Sequence, residues 1–290
     1  MKILVTGGAG FIGSHLCEEL AKNKNKVFSL DNYSTGTKLN HVNNVTYIKG
    51  ETKNIEKLIN FIPEIIYHLG EYSRVEQSFD DIENVWSSNK DGIFAVLQFC
   101  RKTKAKIIYA GSSTKFGDGG LGRSQSPYAW SKASNTELVE NYANWFGIKY
   151  AITYFYNVYG DREISSGKYA TLIALFIEKY KNGESLTIVS PGTQLRNFTH
   201  IDDIVSGIIM VGESGFGDNY GIGCSQAFSI LEIAEMFKTR IEMIPERKGN
   251  RMSASVVCNK TKELGWNERK SIEVYIETIV KSIKAKFKDG

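Results

Sequence analysis

Seven residues near the start of the chain, Gly7-Gly8-Ala9-Gly10-Phe11-Ile12-Gly13, constrain the fold more than any other stretch. Lys2-Ile3-Leu4-Val5-Thr6 before them is a short apolar run stopped by glycine, which reads as a buried strand. Ile12, Leu16 and Leu20 after them recur every four residues, which reads as a helix. The alternation continues. Strands are expected at 27–30, 45–48, 65–69, 106–110 and 150–154, and helices at 55–61, 85–101 and 128–146. Such alternation implies an α/β fold, a doubly wound parallel sheet with helices on both faces. The second half is less regular, with helices expected at 170–181, from 202, from 230 and at 272–286. Ser229 and Glu232 form a capping-box pattern for the third of these. Residues 1–156 with about 201–222 are expected to form the sheet domain, and 157–200 with 223–290 a smaller α/β substrate domain.

The glycine turn carries chemistry as well as geometry. Glycine lets the backbone turn tightly and approach a pyrophosphate, and the helix that follows offers it free N–H groups and a positive dipole end. Asp31 ends the second strand, 18 residues past Gly13. A carboxylate there accepts hydrogen bonds from the adenosine ribose and repels a 2′-phosphate, so NAD is favoured over NADP. The bland alternative is a structural turn with Asp31 as a cap. Strand before, helix after and acid at the next strand end together favour a Rossmann-like dinucleotide site.

Ser126-Pro127-Tyr128-Ala129-Trp130-Ser131-Lys132 sets a tyrosine and a lysine four apart. On a helix they share one face, about 6 Å apart along the axis. An ammonium beside a phenol favours the phenolate, and a tyrosine with an ordinary pKa of about 10 needs that help to act as a base near neutrality. Alone, such a pair is an ordinary surface contact. Its order behind the nucleotide loop, and behind the strand-end serines of Tyr109-Ala110-Gly111-Ser112-Ser113-Thr114-Lys115-Phe116-Gly117, makes it specific.

With Gly7 and Gly10 three apart, the loop resembles that of the extended short-chain dehydrogenases/reductases. Asp31-Asn32-Tyr33-Ser34-Thr35-Gly36 is similar to the sugar-nucleotide epimerase/dehydratase branch, and within it to the UDP-glucose 4-epimerases. The resemblance implies that Gly7, Gly10, Phe11, Ile12, Gly13, Asp31, Asn32, Ser34 and Gly36 line the cofactor. Leu69 and Gly70 join them, in a stretch matching the family's His-Leu-Ala. Glu51 stands where an Asp usually meets the adenine. The catalytic set it implies is Ser112, with Ser113 as the alternative, Tyr128 and Lys132; the last two also touch the cofactor, and Ser112 and Tyr128 the sugar.

On the substrate side, Tyr156-Asn157-Val158-Tyr159-Gly160 resembles Phe-Asn-Val-Tyr-Gly. Arg196-Asn197-Phe198-Thr199-His200-Ile201-Asp202-Asp203 resembles Arg-Asp-Phe-Thr-His-Val-Asp-Asp, and Pro245-Glu246-Arg247-Lys248-Gly249-Asn250 resembles Pro-x-Arg-x-Gly-Asp. These matches imply that Asn157, Arg196 and Arg247 hold the nucleotide diphosphate, since a guanidinium grips phosphate oxygens in pairs.

The implied activity is NAD-dependent epimerisation at C4 of a nucleotide-activated sugar through a 4-keto intermediate. The alternatives are a nucleotide-sugar oxidoreductase or dehydratase of the same family, or a non-catalytic dinucleotide sensor. Positions 112–114 carry no carboxylate, whereas the family's dehydratases and decarboxylases have an acid there, so both reactions are disfavoured. The 15 residues between Ser112 and Tyr128 are a shortened insert, and Lys115 stands at a usually apolar position with no evident role. The resemblance implies a homodimer too, with helices 85–101 and 128–146 as candidates for its interface and Leu97, Leu138 and Tyr142 as contacts; core packing explains those three residues as well.

Composition excludes other classes. The net charge of +4 over 290 residues is too small to argue for nucleic acid. The apolar run at 172–177 falls far short of the roughly 18 residues a bilayer span needs, and the three apolar residues before Thr6 are too few for a secretory signal. No membrane association and a cytoplasmic location are expected. Cys17, Cys100, Cys224 and Cys258 lie far apart without metal spacing, so reduced thiols and no metal are expected. His68 and His200 read as packing or capping residues.

Overall fold

The apolar runs become buried strands in the computed structural model, which describes residues 1–245 and 256–286. β1 (Lys2–Thr6) leads into α1 (Phe11–Lys22). There follow β2 (Lys26–Asp31), β3 (Val45–Lys49), α2 (Ile55–Leu58), β4 (Ile65–His68), α3 (Ile82–Val85), α4 (Gly92–Thr103), β5 (Lys106–Ser112), α5 (Pro127–Phe146) and β6 (Tyr150–Phe155). The chain continues through β7 (Val158–Tyr159), α6 (Leu172–Lys181), β8 (Leu186–Val189), β9 (Leu195–Asn197), β10 (Thr199–His200), α7 (Ile201–Ser214) and β11 (Gly217–Ile222). It closes with β12 (Ala227–Ser229), α8 (Ile230–Glu235), β13 (Ile241–Ile244), α9 (Asn259–Glu263) and α10 (Ile272–Lys286).

Seven strands form one sheet in the order β11-β6-β5-β4-β1-β2-β3, and every pairing is parallel. The Rossmann-like α/β class expected from the sequence is the observed one. Side chains alternate across the sheet with period two. Leu4 packs with Ile93, Val96 and Leu97 of α4 and Val139 of α5, whereas Ile3 and Val5 pack with Leu16 of α1 and Ile204 and Ile208 of α7. Full burial of each such side chain contributes about 1.5–3 kcal/mol. A third cluster gathers Tyr159, Phe176, Phe237 and Ile276.

Two expectations are refined. The helix expected over 85–101 is present, and a π-helical turn, Trp86–Asp91, joins α3 to α4 within it. The widened turn carries Asn89 inward, where its amide donates to Tyr72 O (3.1 Å) and Ser131 Oγ (3.0 Å) and accepts from Tyr72 N (2.6 Å). Those bonds satisfy a fully buried amide. Leu97 and Tyr142, open in the sequence to contact with a second copy or to core packing, lie in the chain's own core at 0% and 5% exposure, and Leu138 packs against that core. The exposed apolar side chains of this region are Trp86, Phe94, Trp130 and Trp145.

Candidate active site

Parallel strands end on one edge, and the residues singled out above fall along it. Gly7 follows β1, Asp31 ends β2, Glu51 follows β3, Leu69 and Gly70 follow β4, Ser112 ends β5, and Asn157 follows β6. In open sheets of this kind ligands bind outside the carboxyl ends where the strand order reverses, here between β1 and β4. The two loops touch at that point. A Cβ on Gly7 would lie 2.9 Å from Gly70 Cα, and Gly7 holds φ +75°, where side chains are strained. A Cβ on Gly13 would lie 2.1 Å from Gly7 O.

Gly10 caps α1 without a side-chain bond, and no acid stands in the first turn. The positive helix end is therefore open to an anion. Phe11 and Ile12 begin that helix and pack on the core. Asp31 is 6% exposed and accepts from Ala9 N (2.9 Å) and Tyr33 N (2.7 Å), which aims it at the glycine loop. Each carboxylate oxygen keeps a lone pair for a further donor. Gly36 closes over it, where a Cβ would meet Asp31 Oδ1 at 3.0 Å. Asn32 turns the chain by accepting from Ser34 N (3.0 Å). Leu69 N and Gly70 N donate to Thr6 O (3.2 Å) and Thr6 Oγ1 (3.0 Å). An open helix end, close-approaching glycines and an acid at the second strand end fit a dinucleotide. The Glu51 carboxylate, half-exposed just past β3, pairs with Lys53 (2.8 Å).

Ser112 sits at the end of β5, 8% exposed, where its Oγ accepts from Thr114 N (3.3 Å) and Thr114 Oγ1 (2.9 Å). Ser126 Oγ caps α5 by accepting from Ala129 N (3.1 Å), with Pro127 in the first turn. That cap puts Tyr128 in the first turn, half-buried, and Lys132 one turn on, 5% exposed. Lys132 Nζ donates to Ala110 O and to Glu71 Oε2 (2.6 Å). Glu71, with its side chain 1% exposed, also accepts from Tyr109 OH (2.9 Å) and Asn135 Nδ2 (3.1 Å), and His68 Nε2 lies 3.4 Å away. Burial alone would push the Glu71 carboxyl up, but the Lys132 charge and His68 outweigh it and hold it at about 2.

The substrate-side residues gather beyond β6. Asn157 (φ +34°) donates to Asn197 O (3.0 Å), and Arg196 precedes Asn197 on β9, its guanidinium on Leu195 O (2.8 Å). Arg247 lies outside the described residues. Lys115 gains the role the sequence withheld. Its ammonium meets Asp218 (2.6 Å) and Tyr154 OH (3.1 Å), tying the segment after β5 to β6 and β11. His200 caps α7 by accepting from Asp202 N (3.1 Å).

Sequence reasoning missed three residues here. Glu71 was signalled only by a charge directly after the apolar run 65–70. Asn135 lies three residues past Lys132, on the same helix face. Arg74 is held by Tyr169 O (2.7 Å); burial pulls its guanidinium below the usual range, while nearby Tyr128 acts the other way.

A profile of the NAD dependent epimerase/dehydratase family matches residues 3–223. A Methanocaldococcus jannaschii protein provisionally named as a UDP-glucose 4-epimerase is 29% identical over 97% of this chain and 98% of its own length. UDP-glucuronic acid decarboxylase 6 of Arabidopsis thaliana is 30% identical over 93% of this chain and 84% of its own. The UDP-glucose 4-epimerase of Thermotoga maritima, solved with UDP-glucose, has a TM-score of 0.91 and 26% identity, covering 99% of this chain and 100% of that one. Among the described residues no helix is long and apolar enough to cross a membrane.

Proposed function

The chain belongs to the NAD-dependent epimerase/dehydratase family, and from that premise we propose that it epimerises C4 of a nucleotide-activated sugar through a transient 4-keto intermediate. The observation that carries this reading is the chemistry at the end of β5. Ser112, Ser113 and Thr114 bring hydroxyls and no carboxylate to the edge that Tyr128 and Lys132 share. Eliminating water requires an acid and a base at the reacting sugar, and the acid that serves the family's dehydratases and decarboxylases is missing here.

Tyr128, as phenolate, takes the proton of the 4-hydroxyl while the Ser112 hydroxyl bridges the same oxygen. NAD, when bound by the glycine loop and Asp31, supplies reversible acceptance of the C4 hydrogen with its electron pair. Lys132 stabilises the phenolate by its charge and holds the nicotinamide ribose. Asn157 and Arg196, with Arg247, grip the diphosphate while the keto sugar turns about it. As the hydrogen returns to the other face of C4, Tyr128 gives its proton back to the C4 oxygen, which becomes the new hydroxyl.

Incubation with a panel of UDP-, GDP- and dTDP-sugars that includes UDP-glucuronic acid, with products resolved by NMR, tests this. The expected product is a 4-epimer of unchanged composition. Loss of carbon dioxide or water, or accumulation of reduced nicotinamide, would replace epimerisation with the corresponding reaction.

The same reading includes a homodimer. Trp86 and Trp130 stack at 6.0 Å and are 50% and 41% exposed, with Phe94 at 52%. Rings this exposed on neighbouring helices suit a second copy. Sedimentation is expected to give a dimer that Trp130→Glu shifts to monomer; a monomeric parent would remove the proposal.

A further inference from the structure

Lys132 reaches the candidate reaction centre already paired with a charge. We propose that Glu71 is a positioning residue for the reaction, a buried counter-ion that keeps Lys132 protonated and aimed while Tyr128 cycles between phenol and phenolate. The inference rests on the epimerase reading above.

The geometry points to a charge role rather than to packing. Lys132 is 5% exposed; among the described residues it donates to a neutral carbonyl, Ala110 O, and to the Glu71 carboxylate at 2.6 Å, and its ammonium lies 4.9 Å from the centre of the Tyr109 ring. An ammonium cut off from water holds its proton poorly unless an anion stands beside it. Among the described residues, the other groups bonded to Glu71 favour the anionic form as well. Tyr109 OH on β5 and Asn135 Nδ2 on α5 donate to it. His68, at the end of β4, lies 3.4 Å away with its other nitrogen on Thr6 Oγ1 (2.7 Å). Lys90 of the π turn adds a more distant positive charge, held on Ser134 Oγ (3.0 Å) and Asn135 Oδ1 (2.8 Å). Tyr128 also bears electrostatically on Tyr109. The Glu71 side chain is 1% exposed and bonds to Lys132, so it acts through Lys132.

The test is the pH profile of kcat for the intact protein, measured on a sugar from the panel that it turns over. Parent, Glu71→Gln and Glu71→Asp are compared, with melting temperature and NAD content read on the same samples. Gln keeps the volume and an acceptor but removes the charge. Its alkaline limb should fall by at least about one pH unit, with kcat above that limb down about tenfold and the sugar KM little changed. Asp, which restores the charge, should return the limb to the parent's position even if kcat stays lower. Should Gln not fold, Glu71→Ser, which removes the charge and leaves room for water, carries the same comparison. An alkaline limb identical to the parent's in the charge-free variant overturns the proposal, provided Tyr128→Phe is inactive. If Tyr128→Phe still turns over, or no sugar is converted, the epimerase reading fails and this inference falls with it.

Discussion

Tyr128→Phe is expected to lower turnover of the nucleotide sugar by about 100- to 10,000-fold, the usual contribution of a positioned acid–base group. Phenylalanine keeps the ring and removes the one atom assigned to accept the proton. The start of α5 is fixed without Tyr128 OH: Ser126 Oγ accepts from Ala129 N (3.1 Å), and Lys132 is held by Glu71 (2.6 Å) and Ala110. Melting temperature and NAD content should therefore match the parent. A loss confined to kcat places Tyr128 in the chemistry, whereas unchanged turnover removes it from the mechanism.

The second large effect is expected at the glycine turn. Gly13→Ala puts a Cβ 2.1 Å from Gly7 O and 2.8 Å from Gly7 C. Backbone cannot move aside as the tip of a side chain can, so the turn between β1 and α1 must open. Overpacking of this kind costs about 1–3 kcal/mol. The greater loss is functional, because the opened turn no longer presents the start of α1 to a pyrophosphate. The variant should purify without NAD and without activity. Gly10→Ala is the milder comparison, since its Cβ would lie 3.3 Å from Gly7 O. Normal NAD content in Gly13→Ala would mean that the turn does not hold the cofactor.

The central sheet was legible because parallel strands buried on both faces read as short continuous apolar runs, as at Ile65-Ile66-Tyr67, and the helices between them keep a four-residue period. The cap of α8 was legible in Ser229 and Glu232, whose reciprocal bonds the structure contains (2.6 and 3.1 Å). The π turn was not, because Val85 to Arg101 keeps a helical apolar pattern and the inward pull on Asn89 comes from Tyr72 and Ser131, distant in sequence. Periodicity marked Leu97 and Tyr142 as one apolar face but could not say whether it covers the chain's own sheet. The two- to four-residue strands β7 to β10, β12 and β13 are too short to show a period. Lys115 was opaque because its partner, Asp218, lies on a strand 103 residues away. Tyr128 and Lys132 were visible as a spacing; Glu71 becomes visible only when β4 and α5 are brought together.

The most direct measurement of the central claim follows the hydrogen at C4. A nucleotide sugar that the protein converts, carrying deuterium at C4, is incubated until both epimers are present, and the label is located by NMR. Removal and return at one carbon within a closed site predicts deuterium retained at C4 of the product, with no net gain of reduced nicotinamide. Label lost to solvent, or found at another carbon, would contradict the account.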